Sequence, residues 1–414
     1  MRFSAYDIAP QIKRSLEELG YKRPTDIQYK AIPSILNLED VMAIAQTGTG
    51  KTAAFAIPVI EIIYHRKRDN PDKKGIRAVV MVPTHELALQ ITEVFQKIGR
   101  YTDVSTIGIF GGVDQQPQIE KLQEGVDIIV ATPGRLFDLV SQKHIKLRST
   151  EFLVLDEADH MLDMGFYDDI KELITYLPQN RQTLFFSATI NEEIKDLAYS
   201  LVKNAIRIQI SPKDPVSKNV DHSVMFVTMD DKRFFLERLI YENPESKILV
   251  FVRTKVRAER VYDAMKRVKI QTITMHGGKD QSDRLAVMEQ FRTGEIKVLI
   301  ATDVSARGID IPGVNFVVNY DLPDVDENYV HRVGRTGRGN QKGHAVSFCS
   351  PEEMPVLKQI EKFLDNPIKV LEVKKDDYKE TLLFTEDTND NWKLLLKEAE
   401  QSQKKFKKKP NKKK

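Results

Sequence analysis

Three clusters in this 414-residue chain combine residue types suited to phosphate chemistry. The first is Ala45-Gln46-Thr47-Gly48-Thr49-Gly50-Lys51-Thr52. Gly48 and Gly50 let successive backbone N–H groups turn inward onto phosphate oxygens, and a helix starting there adds partial positive charge. Lys51 reaches the outer phosphates, and Thr52 offers its hydroxyl to Mg²⁺. Ala45 stands where the usual phosphate-loop spelling has glycine. The second cluster is Asp156-Glu157. An acid beside such a loop holds the metal, often through water, and its neighbour orients or deprotonates the attacking water. The bland reading makes Asp156 the N-cap of a helix through Met161 and Leu162. The third cluster runs from Arg332 to Gly339, where Arg332, Arg335 and Arg338 alternate with glycines. It reads either as a solvated basic turn or as a guanidinium clamp on a γ-phosphate held by the other half of the chain.

These clusters need strands and helices to hold them. Apolar runs end at polar groups throughout: Val41 to Ile44, Ile76 to Val82, Val104 to Phe110, Asp127 to Val130, Phe152 to Leu155 and Thr183 to Phe186. Helical spacing follows most of them. Residues 211–218, SPKDPVSK, then lose periodicity and read as a linker. The alternation restarts at His222 to Val227, Ile248 to Val252, Thr272 to Met275, Val298 to Ile300, Phe316 to Val318 and Ala345 to Phe348. Continuous apolar strands separated by amphipathic helices predict parallel sheets covered on both faces, with ligands at the strands' carboxyl ends. The second half has no Gly-Lys-Thr of its own.

Near the start, Pro10 and Gly20 bracket a helix. Thr25 with Gln28 three residues on is a capping box. The competing reading pairs the Gln28 amide with an adenine edge and stacks Tyr21 on its ring.

Hydrophobic content of 41% and charged content of 30% describe a globular chain. No apolar run is long enough to span a bilayer, and Met1 to Asp7 carry no apolar signal region, so a cytoplasmic location without membrane partners is expected. Cys349 is the single cysteine, which excludes an internal disulfide, and its apolar strand implies a buried thiol. The net charge of +3 includes eight lysines in residues 401–414, leaving −5 on the rest. That tail reads as a solubility device or an attractant for phosphate backbones. Trp392 reads as the packing anchor of a short helix.

Taken together, the motifs resemble the DEAD-box family of ATP-dependent RNA helicases over roughly residues 3–365. They are Phe3 with Gly20-Tyr21 and Gln28, AQTGTGKT at 45–52, PTHELALQ at 83–90, Gly111-Gly112, TPGR at 132–135, DEAD at 156–159 and SAT at 187–189. HGGKDQSDR at 276–284, ATDVSARGID at 301–310 and HRVGRTGR at 331–338 follow. LDMGFYDDI, RQTLFFSAT and AVSFC look most like RhlE-type bacterial members.

The resemblance implies two tandem RecA-like α/β domains: an adenine-recognition segment at 1–30, domain 1 at 31–210, a linker at 211–220, domain 2 at 221–370 and an extension at 371–414. It implies ATP and Mg²⁺ as ligands, with Lys51, Asp156, Glu157, Arg335 and Arg338 catalytic. Phe3, Tyr21, Gln28, the 45–52 loop, Gly308 and Asp310 would bind ATP, and Thr52 and Asp156 the metal. Ser187, Thr189, Asp159 and His331 would couple the sites. RNA contacts map to Thr84, His85, Gly112, Thr132 and Arg135, and to Arg253, Thr254, Gln281, Arg284 and Thr302. Single-stranded and short duplex RNA are the expected partners, within ribosomal or RNA-decay assemblies. His85 replaces the family's usual arginine, exchanging a permanent cation for one mostly neutral at pH 7, which predicts weaker and more pH-sensitive RNA binding. Asp26 replaces a common proline and suits a first helical turn. A DNA-dependent translocase and a non-catalytic RNA-binding scaffold are the competing readings.

Overall fold

A strand apolar on both sides must be covered on both faces, and the computed structural model of the chain contains two such sheets. It describes residues 2–46, 48–72, 74–210, 216–303, 313–337 and 342–383. Thr47, Gly308, Asp310 and Arg338, the expected helix around Trp392 and the Lys-rich tail lie outside the described residues.

The first sheet is built from β1 (Val41–Ala45), β2 (Ala78–Met81), β3 (Thr106–Ile109), β4 (Ile128–Ala131), β5 (Phe152–Leu155), β6 (Gln182–Ser187) and β7 (Ile206–Ile210). Its order is β3-β4-β2-β5-β6-β1-β7, parallel throughout. The second contains β8 (Val220–Phe226), β9 (Lys247–Val252), β10 (Ile273–Met275), β11 (Val298–Thr302), β12 (Val314–Asn319), β13 (Gly343–Cys349) and β14 (Lys369–Val370). Its order is β10-β11-β9-β12-β13-β8-β14, also parallel.

Around the first sheet lie α1 (Pro10–Glu18), α2 (Asp26–Leu36), α3 (Lys51–Asp69), α4 (His85–Ile98), α5 (Gln116–Glu124), α6 (Pro133–Ser141), α7 (Ala158–Asp163), α8 (Tyr167–Tyr176) and α9 (Glu192–Leu201). The second carries α10 (Lys232–Glu242), α11 (Lys255–Arg267), α12 (Gln281–Thr293), α13 (Asp326–Val333), α14 (Met354–Leu364) and α15 (Lys375–Leu383).

Strand periodicity splits each run between two cores. Val41 and Ala43 join Phe55, Ile91 and Phe95 on one face of the first sheet. Met42 and Ile44 join Leu136, Leu173 and Leu197 on the other. In the second sheet Leu249 and Phe251 face Phe291 and Leu357, while Ile248 and Val250 face Leu236 and Met265. All twelve expected strands form. β7 and β14 are additional, and both are edge strands whose exposed positions break the apolar run. Beyond Leu371, where the pattern thins, α15 docks on α10. The Tyr378 hydroxyl donates to Asp231 Oδ2 at 2.7 Å, and its ring lies 4.9 Å from Phe235. Arg238 Nη1 donates to Thr381 Oγ1 at 2.6 Å. Among the described residues, no helix is long and apolar enough to cross a membrane.

Candidate nucleotide and nucleic-acid site

β1 delivers the chain to a loop in which Gly48 and Gly50 take φ of +81° and +93°, a region that costs glycine little. The Thr49 hydroxyl donates to the Gln46 carbonyl at 2.7 Å, and α3 starts directly at Lys51. Gln28 braces this turn from α2. Its Oε1 accepts the Thr25 backbone N–H at 2.9 Å, half of the capping box, and its Nε2 donates to the Gly50 carbonyl at 3.0 Å. The amide keeps one N–H and one oxygen lone pair, the donor and acceptor that an adenine edge requires. The cap and adenine readings of Gln28 are therefore compatible. Phe3 is buried against Tyr6 and sits edge-on to Tyr21 at 6.0 Å.

Lys51 is 6% exposed, and its Nζ has no hydrogen-bond partner among the described residues. A buried ammonium above positive-φ glycines, with Asp156 and Glu157 within its electrostatic reach, fits a phosphate chain with a divalent cation. Burial pushes the Asp156 carboxyl up to about 6 against the pull of Lys51. Burial acts the same way on Glu157, but the His160 ring and the charges of Lys51 and Arg335 outweigh it and hold this carboxyl down at about 2. Glu157 also takes φ +52° and ψ 48°, left-handed backbone that costs a non-glycine residue about 1–3 kcal/mol.

Asp159 ties this strand end to the next. Its Oδ2 accepts from the Ala188 and Thr189 backbone N–H groups at 3.1 and 2.9 Å and from the Thr189 hydroxyl at 3.0 Å. The Ser187 hydroxyl donates to the Thr189 carbonyl at 2.7 Å. Opposite stands α13, whose His331 carbonyl accepts from Arg335 Nε at 3.1 Å. Glu157, Asp159, His160, Thr189, His331 and Arg335 line one cavity between the two sheets.

A second meeting point joins the halves. Thr84 caps α4, accepting from the Leu87 N–H at 3.3 Å. The next residue, His85, has Nδ1 2.9 Å from Gln281 Oε1 at the start of α12. Buried Glu86 pairs with Arg284 at 2.8 Å and accepts from Gln281 Nε2 at 3.4 Å. Gly112, at φ +73°, lies so close to Gln281 that a Cβ there would meet the glutamine Cβ at 2.7 Å. Arg135 Nη2 donates to the Val113 carbonyl at 2.9 Å, beside Gly112, and buried Thr132 occupies the N-cap position of α6. Arg253 pairs with Asp324 at 3.1 Å, and the Thr254 hydroxyl accepts from the Arg257 N–H at 3.1 Å, capping α11. Thr302 ends β11, the strand beside β9, so these three share the carboxyl edge of the second sheet.

The DEAD/DEAH box helicase family profile matches residues 25–197, and the helicase conserved C-terminal domain matches residues 231–340. RhpA of Helicobacter pylori strain B128, a DEAD-box ATP-dependent RNA helicase, is 38% identical over 371 residues, covering 90% of this chain and 74% of that one. The chain belongs to the DEAD-box helicase family. DbpA of Bacillus subtilis, an ATP-dependent RNA helicase, is likewise 38% identical, with 89% of this chain and 76% of that one covered. Saccharomyces cerevisiae Dbp5 bound to RNA and ADP BeF3 aligns with a TM-score of 0.80 at 31% identity, over 94% of this chain and 99% of that one. As in that DEAD-box structure, two RecA-like domains are arranged in tandem.

Residues missing from the expected site are Glu86 and His160. Both look like ordinary helical residues in the sequence, Glu86 as a first-turn acid on α4. A usable signal for Glu86 existed: Gln281 and Arg284 fall at i and i+3 on α12, on one face aimed at a single partner.

Proposed function

We propose that this chain is an ATP-dependent RNA helicase in which ATP and single-stranded RNA together close the two domains and locally separate a short duplex. The observation that carries this reading is the shared cavity. Glu157 lines it from one domain and Arg335 from the other, projecting its charge onto Glu157. Within electrostatic reach of Glu157 and Asp156 is Lys51, whose buried Nζ has no hydrogen-bond partner among the described residues.

In this scheme Phe3, Tyr21 and Gln28 hold adenine, and the 45–52 loop wraps the phosphates with Lys51 on the outer ones. Thr52 and Asp156 would hold Mg²⁺, which supplies charge neutralisation on the phosphate oxygens. Glu157 orients the attacking water and takes its proton; its low affinity for protons suits orientation better than storage. Arg335 and Arg338 stabilise the charge on the transferring phosphoryl group, so hydrolysis requires closure. Gly308 and Asp310 complete the nucleotide contacts. Asp159, Ser187, Thr189 and His331 carry the state of that site to the RNA face.

Thr84, His85, Gly112, Thr132 and Arg135, with Arg253, Thr254, Gln281, Arg284 and Thr302, take RNA phosphates and 2′-hydroxyls independently of sequence. Domain limits at 31–210 and 221–370, an RhlE-type subclass, a cytoplasmic location and work on ribosomal or RNA-decay assemblies belong to the same proposal. The subclass rests on LDMGFYDDI, RQTLFFSAT and AVSFC.

The test is ATP hydrolysis with no nucleic acid, with single-stranded RNA, and with DNA of the same sequence, using Lys51→Ala as control. Stimulation by RNA alone, lost in the control, is expected. Equal stimulation by DNA would favour a DNA translocase, and no hydrolysis under any condition would favour a scaffold.

A further inference from the structure

His160 is the residue directly after Asp156-Glu157-Ala158-Asp159 and sits inside α7. It is 5% exposed, yet neither ring nitrogen has a hydrogen-bond partner among the described residues. Buried imidazole nitrogens are normally satisfied, and a pair left unsatisfied calls for a physical reason. Two features supply one. His160 lines the interdomain cavity together with Glu157 and Arg335. Its Nδ1 also lies 3.5 Å from Glu157 Oε2, too long for a good hydrogen bond but one small shift from forming it. Catalytic hydrogen bonds are often long before substrate arrives and tighten in the reacting complex.

The neighbouring backbone points the same way. Glu157 sits in left-handed backbone at φ +52°, a conformation stored where side-chain direction matters. Strain fixes where its carboxylate starts but leaves rotation about the side-chain bonds. A donor at one oxygen removes that freedom, and His160 is placed to be the donor.

We propose that His160 is a positioning residue for ATP hydrolysis: in the tautomer protonated on Nδ1, its N–H holds Oε2 of Glu157, so that Oε1 is turned to the attacking water. The imidazole touches neither nucleotide nor RNA and acts only through Glu157. This inference rests on the assignment of Glu157 to the attacking water.

The experiment compares His160→Leu, His160→Met and His160→Gln in the full chain, each with ATP and a single-stranded RNA. Leu and Met fill the space without a donor, and two of them guard against one failing to fold; Gln restores an N–H at similar reach. The donor-less variants are expected to lose roughly tenfold in kcat, with KM for ATP and RNA affinity within about twofold of the parent. Gln is expected to recover most of that loss. An unchanged kcat in a folded donor-less variant would overturn the proposal. So would a loss in which kcat, KM and RNA affinity worsen together and Gln gives no rescue, because that pattern marks a packing role. RNA-stimulated hydrolysis by the parent chain, abolished by Lys51→Ala, is read in parallel. Its failure would remove the helicase reading itself, whereas a parent that hydrolyses alongside an indifferent His160→Leu removes only this inference.

Discussion

His85 Nδ1 and Gln281 Oε1 stand 2.9 Å apart, a hydrogen bond between one domain and the other made by two residues also proposed above to contact RNA. The bond helps hold the two domains together, so on the proposed reading its loss would weaken the closure that RNA and ATP bring about.

His85→Ala removes that bond. A net hydrogen bond contributes about 0.5–1.5 kcal/mol, so the RNA concentration for half-maximal ATP hydrolysis should rise about 2- to 10-fold, with the rate at saturating RNA little changed. His85→Arg, which adds a permanent cation able to take phosphate, should move that concentration the other way. An RNA titration of ATP hydrolysis reads both, and identical curves for all three proteins would refute the role.

Gly50→Ala should abolish nucleotide binding. The new Cβ would meet Gln28 Nε2 at 2.5 Å and Thr25 Oγ1 at 3.1 Å, in backbone at φ +93°. Strain of that kind costs about 1–3 kcal/mol, so the melting temperature should fall by several degrees as well. Equilibrium binding of a fluorescent ATP analogue and a thermal melt are the two measurements.

The adjacent carboxylates should respond oppositely to neutralisation. The Asp156 carboxyl is raised to about 6, so its favourable contribution is complete only below about 4 and is lost as pH rises through 6. Asp156→Asn should therefore stabilise the nucleotide-free protein at pH 7.5, by at most about 2–3 kcal/mol, and have little effect near pH 4. Glu157, held at about 2, stabilises the fold above its ordinary range and loses that contribution between about pH 4.5 and 2. Glu157→Gln should lower stability at neutral pH, with the deficit shrinking on acidification. Both variants should be inactive as ATPases. Denaturant unfolding across pH 3–8 gives the two curves, and shifts of the same sign at pH 7.5 would contradict the electrostatics described.

Tyr378→Ala should undock α15. The substitution removes a hydrogen bond to Asp231 and a ring contact with Phe235, together worth about 1–3 kcal/mol. Stability should fall while RNA-stimulated ATP hydrolysis stays within about twofold, because α15 packs on α10 and no residue of the shared cavity belongs to either helix. A loss of activity with unchanged stability would show that α15 serves the site instead.

The parts of this molecule legible from sequence are those whose position follows from local chain geometry. Lys51 sits where β1 turns into α3, and Asp156 where β5 ends, so an apolar run followed by a polar cluster located both. Gln28 was ambiguous because one amide does two jobs, and a cap is the only one that neighbouring residues can reveal. The His85–Gln281 and Glu86–Arg284 contacts join segments almost 200 residues apart and depend on how the two sheets face each other, which no strand or helix period encodes. β7 escaped for another reason: as an edge strand it buries only Ile208 fully, and Arg207 and Gln209 hide the pattern.

β1 has a further consequence, for the order in which the chain is made. Its partners are β6 and β7, so Val41 pairs with Leu184 and then with Ile206, about 140 positions or more downstream. At roughly 5–20 residues per second, the apolar strand Val-Met-Ala-Ile-Ala spends on the order of 10–30 s outside its sheet during synthesis. The nucleotide loop that follows β1 therefore leaves the ribosome well before β6 and β7, the strands that flank β1, have been made.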